Sequence, residues 1–243
     1  MRKLPAVAAV LFFVSFVWAG PPFVTDDPEP VELHHWEFYY ASLLNHDVDG
    51  NTGTAPHFEV NYGAFSETQL HVIVPLAYSD ITGNSFEYGL GDIEIGVKYR
   101  LIRENDSRPQ VGVFPLVELA SGDSGKGLGS GHTSAFIPLW IQKSWGPWTM
   151  YGGGGYWFNK TAAGDKDYIQ AGWLLQRDFS DTLTIGAELF SLSPSALGDS
   201  GEVGLNAGAM VNFDQSRHLL FSIGRDVNRA DKFFAYAAFQ LTI

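Results

Sequence analysis

Hydrophobic and polar residues alternate along most of this chain. Across 92–101 the odd positions are Ile93, Ile95, Val97, Tyr99 and Leu101, and the even positions are Asp92, Glu94, Gly96, Lys98 and Arg100. A helix turns through 3.6 residues and would mix the two sets, whereas a strand sends them to opposite faces. The same split recurs across 183–189 and 203–213. Extended along the chain, it predicts twelve strands, near 33–44, 54–64, 68–79, 89–102, 110–119, 132–145, 148–158, 168–179, 182–193, 202–213, 218–226 and 232–243. Each is long enough for a tilted membrane strand of about 9–11 residues.

The connections sort by length. Phe65-Ser66-Glu67, 103–109, Gly146-Pro147, Ser180-Asp181 and 214–217 are mostly short, while 45–53, 80–88, 120–131, 159–167, 194–201 and 227–231 are mostly longer and rich in Gly, Asp, Asn and Ser. Short turns on one rim and long loops on the other are the outer-membrane arrangement, and an even strand count puts both chain ends on the short-turn, periplasmic rim. Aromatics support this reading. Tyr62, Tyr99, Trp145, Phe179 and Phe213 lie on the apolar face near the short turns, and Trp148 faces Trp145 across one of them. That is the placement of an interfacial girdle. Lys143 and Arg177 interrupt the apolar face two residues from that girdle, where a long side chain can snorkel to water. The expected fold is therefore all-β, a transmembrane antiparallel up-and-down β-barrel of about twelve strands.

The first twenty residues carry Arg2 and Lys3 ahead of the apolar run 11–17, which is too short to span a bilayer. They read as an export signal cleaved after Ala19. Residues 20–32 are then a periplasmic tether or a partial plug, and 33–243 the barrel of a protein sent to the outer membrane of a Gram-negative bacterium. Loss of Arg2 and Lys3 takes the formal charge from −12 to −14. So acidic a chain is a poor partner for nucleic acid, where neutralising phosphate drives affinity. Cysteine is absent, and a closed sheet supplies stability without disulfides.

Parity assigns the lumen. Its expected lining is Glu37, His57, Glu59, His71, Asp92, Glu94, Lys98, Arg100, Glu118, Gln170, Gln176, Glu188, Glu202 and Asn206. Cationic side chains on the lipid face would each cost about 2–4 kcal/mol at mid-depth. Acids outnumber bases, which suits a pathway that favours cations. The opposite reading is a plugged interior in which Asp92, Glu94, Lys98 and Arg100 satisfy one another, and both stay open, because twelve strands enclose a narrow barrel.

Other motifs carry less. The run Gly152–Gly155 lacks the Lys-Ser/Thr of a phosphate loop and sits inside a strand pattern, where glycine marks curvature or close approach. Asp47-Val48-Asp49-Gly50-Asn51 spaces oxygens as a calcium loop does but lacks the distant Glu. His34 and His35 alternate faces on an expected strand, so they cannot grip one metal together. Thr25-Asp26-Asp27-Pro28 has the composition of a helix cap or turn. His132 and Ser134 share a face, as in a membrane phospholipase, but parity turns both inward and no orienting third residue has a motif.

Two stretches resemble a known family. Pro22-Phe23-Val24-Thr25-Asp26-Asp27, with Glu37 ten residues on, is similar to the mature N-terminus of outer-membrane transporters linked to meta-pathway phenol degradation. The stretch from Gly89-Leu90-Gly91-Asp92 through Arg100 is similar to that family's Gly-rich fourth strand. The resemblance implies a barrel of transport function, with no catalytic set and no cofactor, and does not by itself make phenol the solute. The expectation is a channel or transporter for small molecules, hydrophobic or aromatic compounds or ions among them, with membrane lipid and solute as partners. The alternatives are a closed structural or binding barrel and a membrane-embedded, phospholipase-like hydrolase. Oligomeric state is not legible, because lipid-facing and subunit-facing positions are both apolar.

Overall fold

The alternation becomes hydrogen-bonded sheet in the computed structural model, which describes residues 22–159, 164–229 and 231–243. The expected signal over 1–19 lies outside the described residues. The strands are β1 (Trp36–Asp47), β2 (Gly50–Phe65), β3 (Thr68–Ile81), β4 (Glu87–Leu90), β5 (Ile93–Ile102), β6 (Gln110–Val113), β7 (Leu116–Leu119), β8 (Ser134–Trp145), β9 (Trp148–Phe158), β10 (Tyr168–Ser180), β11 (Leu183–Leu192), β12 (Glu202–Asn212), β13 (Arg217–Asp226) and β14 (Phe233–Thr242). β4 and β5 both pair with β3, and β6 and β7 both pair with β8, so each couple is one interrupted stave. β1 pairs with β14 from Glu37 opposite Thr242 to His46 opposite Phe233, which closes a twelve-stave antiparallel barrel and leaves no open sheet edge.

The faces divide as period two requires. Ile95, Val97, Tyr99 and Leu101 are 40–50% exposed on the outside of β5, while Glu94 and Lys98 retain only 4% and 6% of their surface. The exposed residues Ile137, Leu139 and Ile141 of β8, Ile169 and Trp173 of β10, and Leu219, Phe221 and Ile223 of β13 continue the same apolar surface. A soluble protein rarely exposes contiguous apolar area beyond a few hundred Å². This exterior matches hydrocarbon, and the charged side chains of the same strands turn inward.

The structure corrects the expected elements in three places. The long strands 89–102 and 110–119 are each broken. Pro115 has no N–H to give a ladder, and its carbonyl instead accepts from Val97 N at 3.0 Å. Gly91 N–H donates to Pro75 O at 2.9 Å, and Asp92 turns its carboxylate to a loop. The expected loop 45–53 is instead a hairpin paired as far as Asp47 opposite Gly50. Residues 51–54 are polar on both faces, so the two-residue period fades there while the backbone pairing continues. Finally, His34 and His35 precede β1 and do not alternate on it. His34 has a left-handed φ of 66° and donates its N–H to Gly63 O at 2.7 Å. The glycine run, by contrast, lies within β9.

Candidate functional site: the lumen

Residues 22–32 run inside the barrel, and side chains of the wall hold them there. The Glu188 carboxylate accepts the N–H groups of Val24 and Thr25, both at 2.8 Å, and the Asn206 amide at 2.8 Å. Ser222 Oγ donates to Pro22 O at 2.6 Å, and Gln69 Oε1 accepts from Val31 N at 2.9 Å. Lys98 Nζ lies 2.9 Å from Asp26 Oδ1 and 3.6 Å from Asp27 Oδ1. Arg100 reaches Glu29 at 3.2 Å. No helix forms here. Glu29 N–H instead closes a short turn onto Asp27 Oδ1 at 2.7 Å. The wall is recessed to receive the segment, since a Cβ on Gly186 would meet the Phe23 ring at 2.8 Å and one on Gly112 would meet Pro28 at 2.9 Å.

Asp92, Glu94, Lys98 and Arg100 do not pair with one another; each has a partner elsewhere. His71 Nε2 lies 2.7 Å from Glu94 Oε1 and Nδ1 lies 2.6 Å from Asn61 Oδ1. The Asn61 amide donates to Glu59 at 2.8 Å, so its oxygen faces His71 and Nδ1 must carry a proton. A further proton is then shared between Nε2 and Glu94. Glu37 accepts from the Tyr39 hydroxyl at 3.0 Å, and His57 bonds Thr54 at 2.7 Å. Glu118 accepts from Ser134 at 3.1 Å, and Gln170 accepts the Trp157 indole N–H at 3.0 Å. Glu202, at the long-loop rim, pairs with Lys232 and lies 3.8 Å from Arg229. Gln176 faces the cavity described below. Asp92 belongs to a different task. It accepts Gly122 N at 2.9 Å, Ser130 N at 2.6 Å and Ser130 Oγ at 2.7 Å, which draws the loop 120–131 onto the β4–β5 break. Leu128 of that loop is buried against Gly89 and Gly91.

The other half of the lining is aromatic. Phe136, Trp157 and Tyr168 stack in series, with centroids 4.7 and 5.6 Å apart, and Trp140 and Phe114 complete a buried cluster with Leu116. A second cluster joins Tyr39, Phe190, Phe234 and Tyr236 to Val24 of the internal segment. Parity alone places Phe136 and Trp140 inside, on the same face as Ser134 and Gln142. Phe114 bridges the two kinds of lining, with its ring 5.1 Å from both Lys98 Nζ and the His71 centroid. Around the internal segment lies a cavity of about 540 Å³, bordered by Asp26, Glu37, Glu59, Lys98, Tyr151 and Gln240 among others. Its lining includes Gln69, Ser144, Thr149 and Thr184, so it sits toward the short-turn rim.

At that rim, Tyr99, Trp145, Phe179 and Phe213 are exposed on the apolar face. Tyr62 stacks on Trp36 at 4.2 Å. Arg177 lies between the Trp148 and Phe179 rings, about 5 Å from each, and Lys143 is anchored by Glu104 at 2.9 Å. Neither cation simply reaches for water. Glu67, in the tight turn between β2 and β3, binds both Arg100 and Arg103. Partial burial pushes its carboxyl up, but the two guanidinium partners outweigh this and hold it below its ordinary value of 4.5. His132 bonds Asn159 at 2.9 Å while Ser134 bonds Glu118, so the two do not form a nucleophile and base. Asp47 accepts from Val48 N within its own hairpin at 2.7 Å.

No curated protein sequence matches the chain. Among solved structures, it is similar in fold to an outer-membrane channel of Pseudomonas putida F1, with a TM-score of 0.69 at 12% identity over 89% of this chain and 98% of that one. It is also similar to the KdgM porin, with a TM-score of 0.57 at 12% identity over 84% of this chain and 98% of that one. A protein-family model matches residues 40–243, nearly the whole barrel, and on that match the chain belongs to the family described as "Putative MetA-pathway of phenol degradation".

Proposed function

We propose that this barrel is an outer-membrane channel through which small solutes, aromatic compounds and ions among them, move down their gradients. The observation that carries the proposal is the two-sided wall: a continuous apolar exterior encloses buried charges and a cavity of about 540 Å³. Buried ionisable groups inside a membrane protein are costly and mark solute or ion pathways. The pathway is lined by Glu37, His57, Glu59, His71, Glu94, Lys98, Arg100, Glu118, Gln170, Glu188 and Glu202, with Asp92 fixing the loop at its outer mouth. The excess of carboxylates gives it a cation preference. The family's phenol-degradation label and the aromatic lining around Phe136 and Trp157 fit small aromatic solutes. The channel reading assigns no catalysis. Residues 1–19 serve as the export signal, and the exposed aromatics Tyr99, Trp145, Phe179 and Phe213 meet the lipid interface together with Tyr62 and Trp148. The test is current through planar bilayers containing the purified, refolded protein. Discrete steps in KCl, with a reversal potential of cation-selective sign under a salt gradient, are expected. Their absence would favour a closed structural barrel.

A further inference from the structure

The internal segment is attached in an unusual way. A barrel wall is joined strand to strand by ladders of backbone hydrogen bonds. Residues 22–32 make no such ladder. Prolines at 22, 28 and 30 lack the N–H a ladder needs. The polar ties to the wall come instead from side chains, chiefly Glu188, Ser222, Gln69, Lys98 and Arg100. Among the described residues, backbone bonds from the chain to the wall are made at the base, where Leu33 bridges Gly63 and Gly63 N–H donates to His35 O at 3.0 Å. There the left-handed His34 turns the chain from the lumen onto β1. A segment fixed at its base and held further in by side-chain contacts alone, polar at Glu188, Ser222 and Lys98 and apolar at Phe23 and Val24, can leave without opening the sheet.

Resting on the channel reading, we infer that residues 22–32 are its gate, a strap that pivots at Leu33–His35 and is latched by Glu188 and Lys98. The Glu188 latch is specific. One carboxylate takes two consecutive peptide N–H groups, Val24 and Thr25, and its own orientation is fixed by Asn206. The Lys98 latch holds Asp26, the most deeply buried acid of the strap. When the strap swings out, Asp26, Asp27, Glu29 and Glu32 go with it. Asp26, fully buried against Lys98, regains water, Lys98 and Arg100 are exposed to the pathway, and the recesses at Gly112, Gly172 and Gly186 become open lumen. The cavity beside the strap provides the space into which it begins to move.

The absence of cysteine makes the test direct. A Cβ on Gly172 would lie 3.1 Å from the Thr25 Cβ, and a small relaxation reaches the separation of a disulfide. The double variant Thr25→Cys/Gly172→Cys, refolded and inserted in planar bilayers, is expected to lose most of its current when oxidised and recover it on reduction. Equal, non-zero current in both states would overturn the gate and leave the channel intact. An absence of current in every form, wild type included, would overturn both. A second variant needs no crosslink. Glu188→Gln removes the latch's charge and is expected to raise the ratio of open to closed time about tenfold, while an unchanged ratio would again overturn the gate.

Discussion

The two halves of the lumen are built differently. Toward the long-loop rim, stacked rings fill it, with Phe136, Trp157 and Tyr168 on one side and Phe190 against Phe234 on the other. Their contacts are dispersive and short-ranged, made by the wall mostly with itself, with Val24 of the internal segment joining the second cluster. Toward the short-turn rim, the contacts are ion pairs and hydrogen bonds between the wall and a separate segment, many joining residues more than a hundred positions apart. The first half therefore makes the barrel stable, and the second decides what the barrel contains at a given moment. Lesions in the two halves should differ in kind as well as in size.

The largest effect on stability is expected in the aromatic half. Trp157→Ala removes the middle ring of a dry stack and should lower unfolding stability by about 3–5 kcal/mol, measured by urea titration in detergent micelles. Lys98→Met should act differently. Breaking a buried pair leaves Asp26 uncompensated, but the strap can detach, which caps the cost at about 1.5–3 kcal/mol. Its signature is local: cleavage before the buried Asp26 by an aspartate-specific endoprotease should accelerate while the barrel stays folded. An unfolding midpoint that shifts as far as in Trp157→Ala, without faster cleavage, would erase the distinction between the halves. A smaller effect follows from Glu67. Its carboxyl titrates lower in the folded barrel than in the unfolded chain, so its contribution is present above pH 4.5 and lost as pH falls through the depressed folded value. Glu67→Gln should flatten the acid limb of the stability curve, and an unchanged limb would remove that role. Smallest of all, Arg217→Ala breaks an exposed pair with Asp214 on a short turn and should leave the melting temperature where it was.

The barrel was largely legible from the sequence because its signal is local. Ile93, Ile95 and Val97 against Asp92, Glu94 and Lys98 state two faces within six residues, and the tight turns at Gly146-Pro147 and Ser66-Glu67 state the rims. The hairpin at 47–50 escaped because strands that carry polar residues on both faces lose the period while keeping their hydrogen bonds. The aromatic half is readable by parity, since Phe136 and Trp140 share a face with Ser134 and Gln142, but a lining expected from polar residues alone passes over it. The partners of the strap were not readable at all. Nothing in the spacing of Asp26 and Lys98, or of Val24 and Glu188, announces a contact, because each depends on barrel closure bringing distant staves around one segment. Lys98 and Arg100 sit two residues apart in a pattern that suggested local pairing with Asp92 and Glu94, and the structure gives each a partner from elsewhere.

Everything turns on which solvent each face meets, and spin labels on β8 test that most directly. Single cysteines at Leu139, Ile141, Gln142 and Ser144, labelled with a nitroxide in liposomes, report collisions with oxygen from lipid and with a nickel chelate from water. Labels at 139 and 141 should favour oxygen, and those at 142 and 144 the chelate. The reverse pattern, with 139 and 141 shielded and 142 and 144 immersed in lipid, would contradict the barrel, the lumen and the gate together.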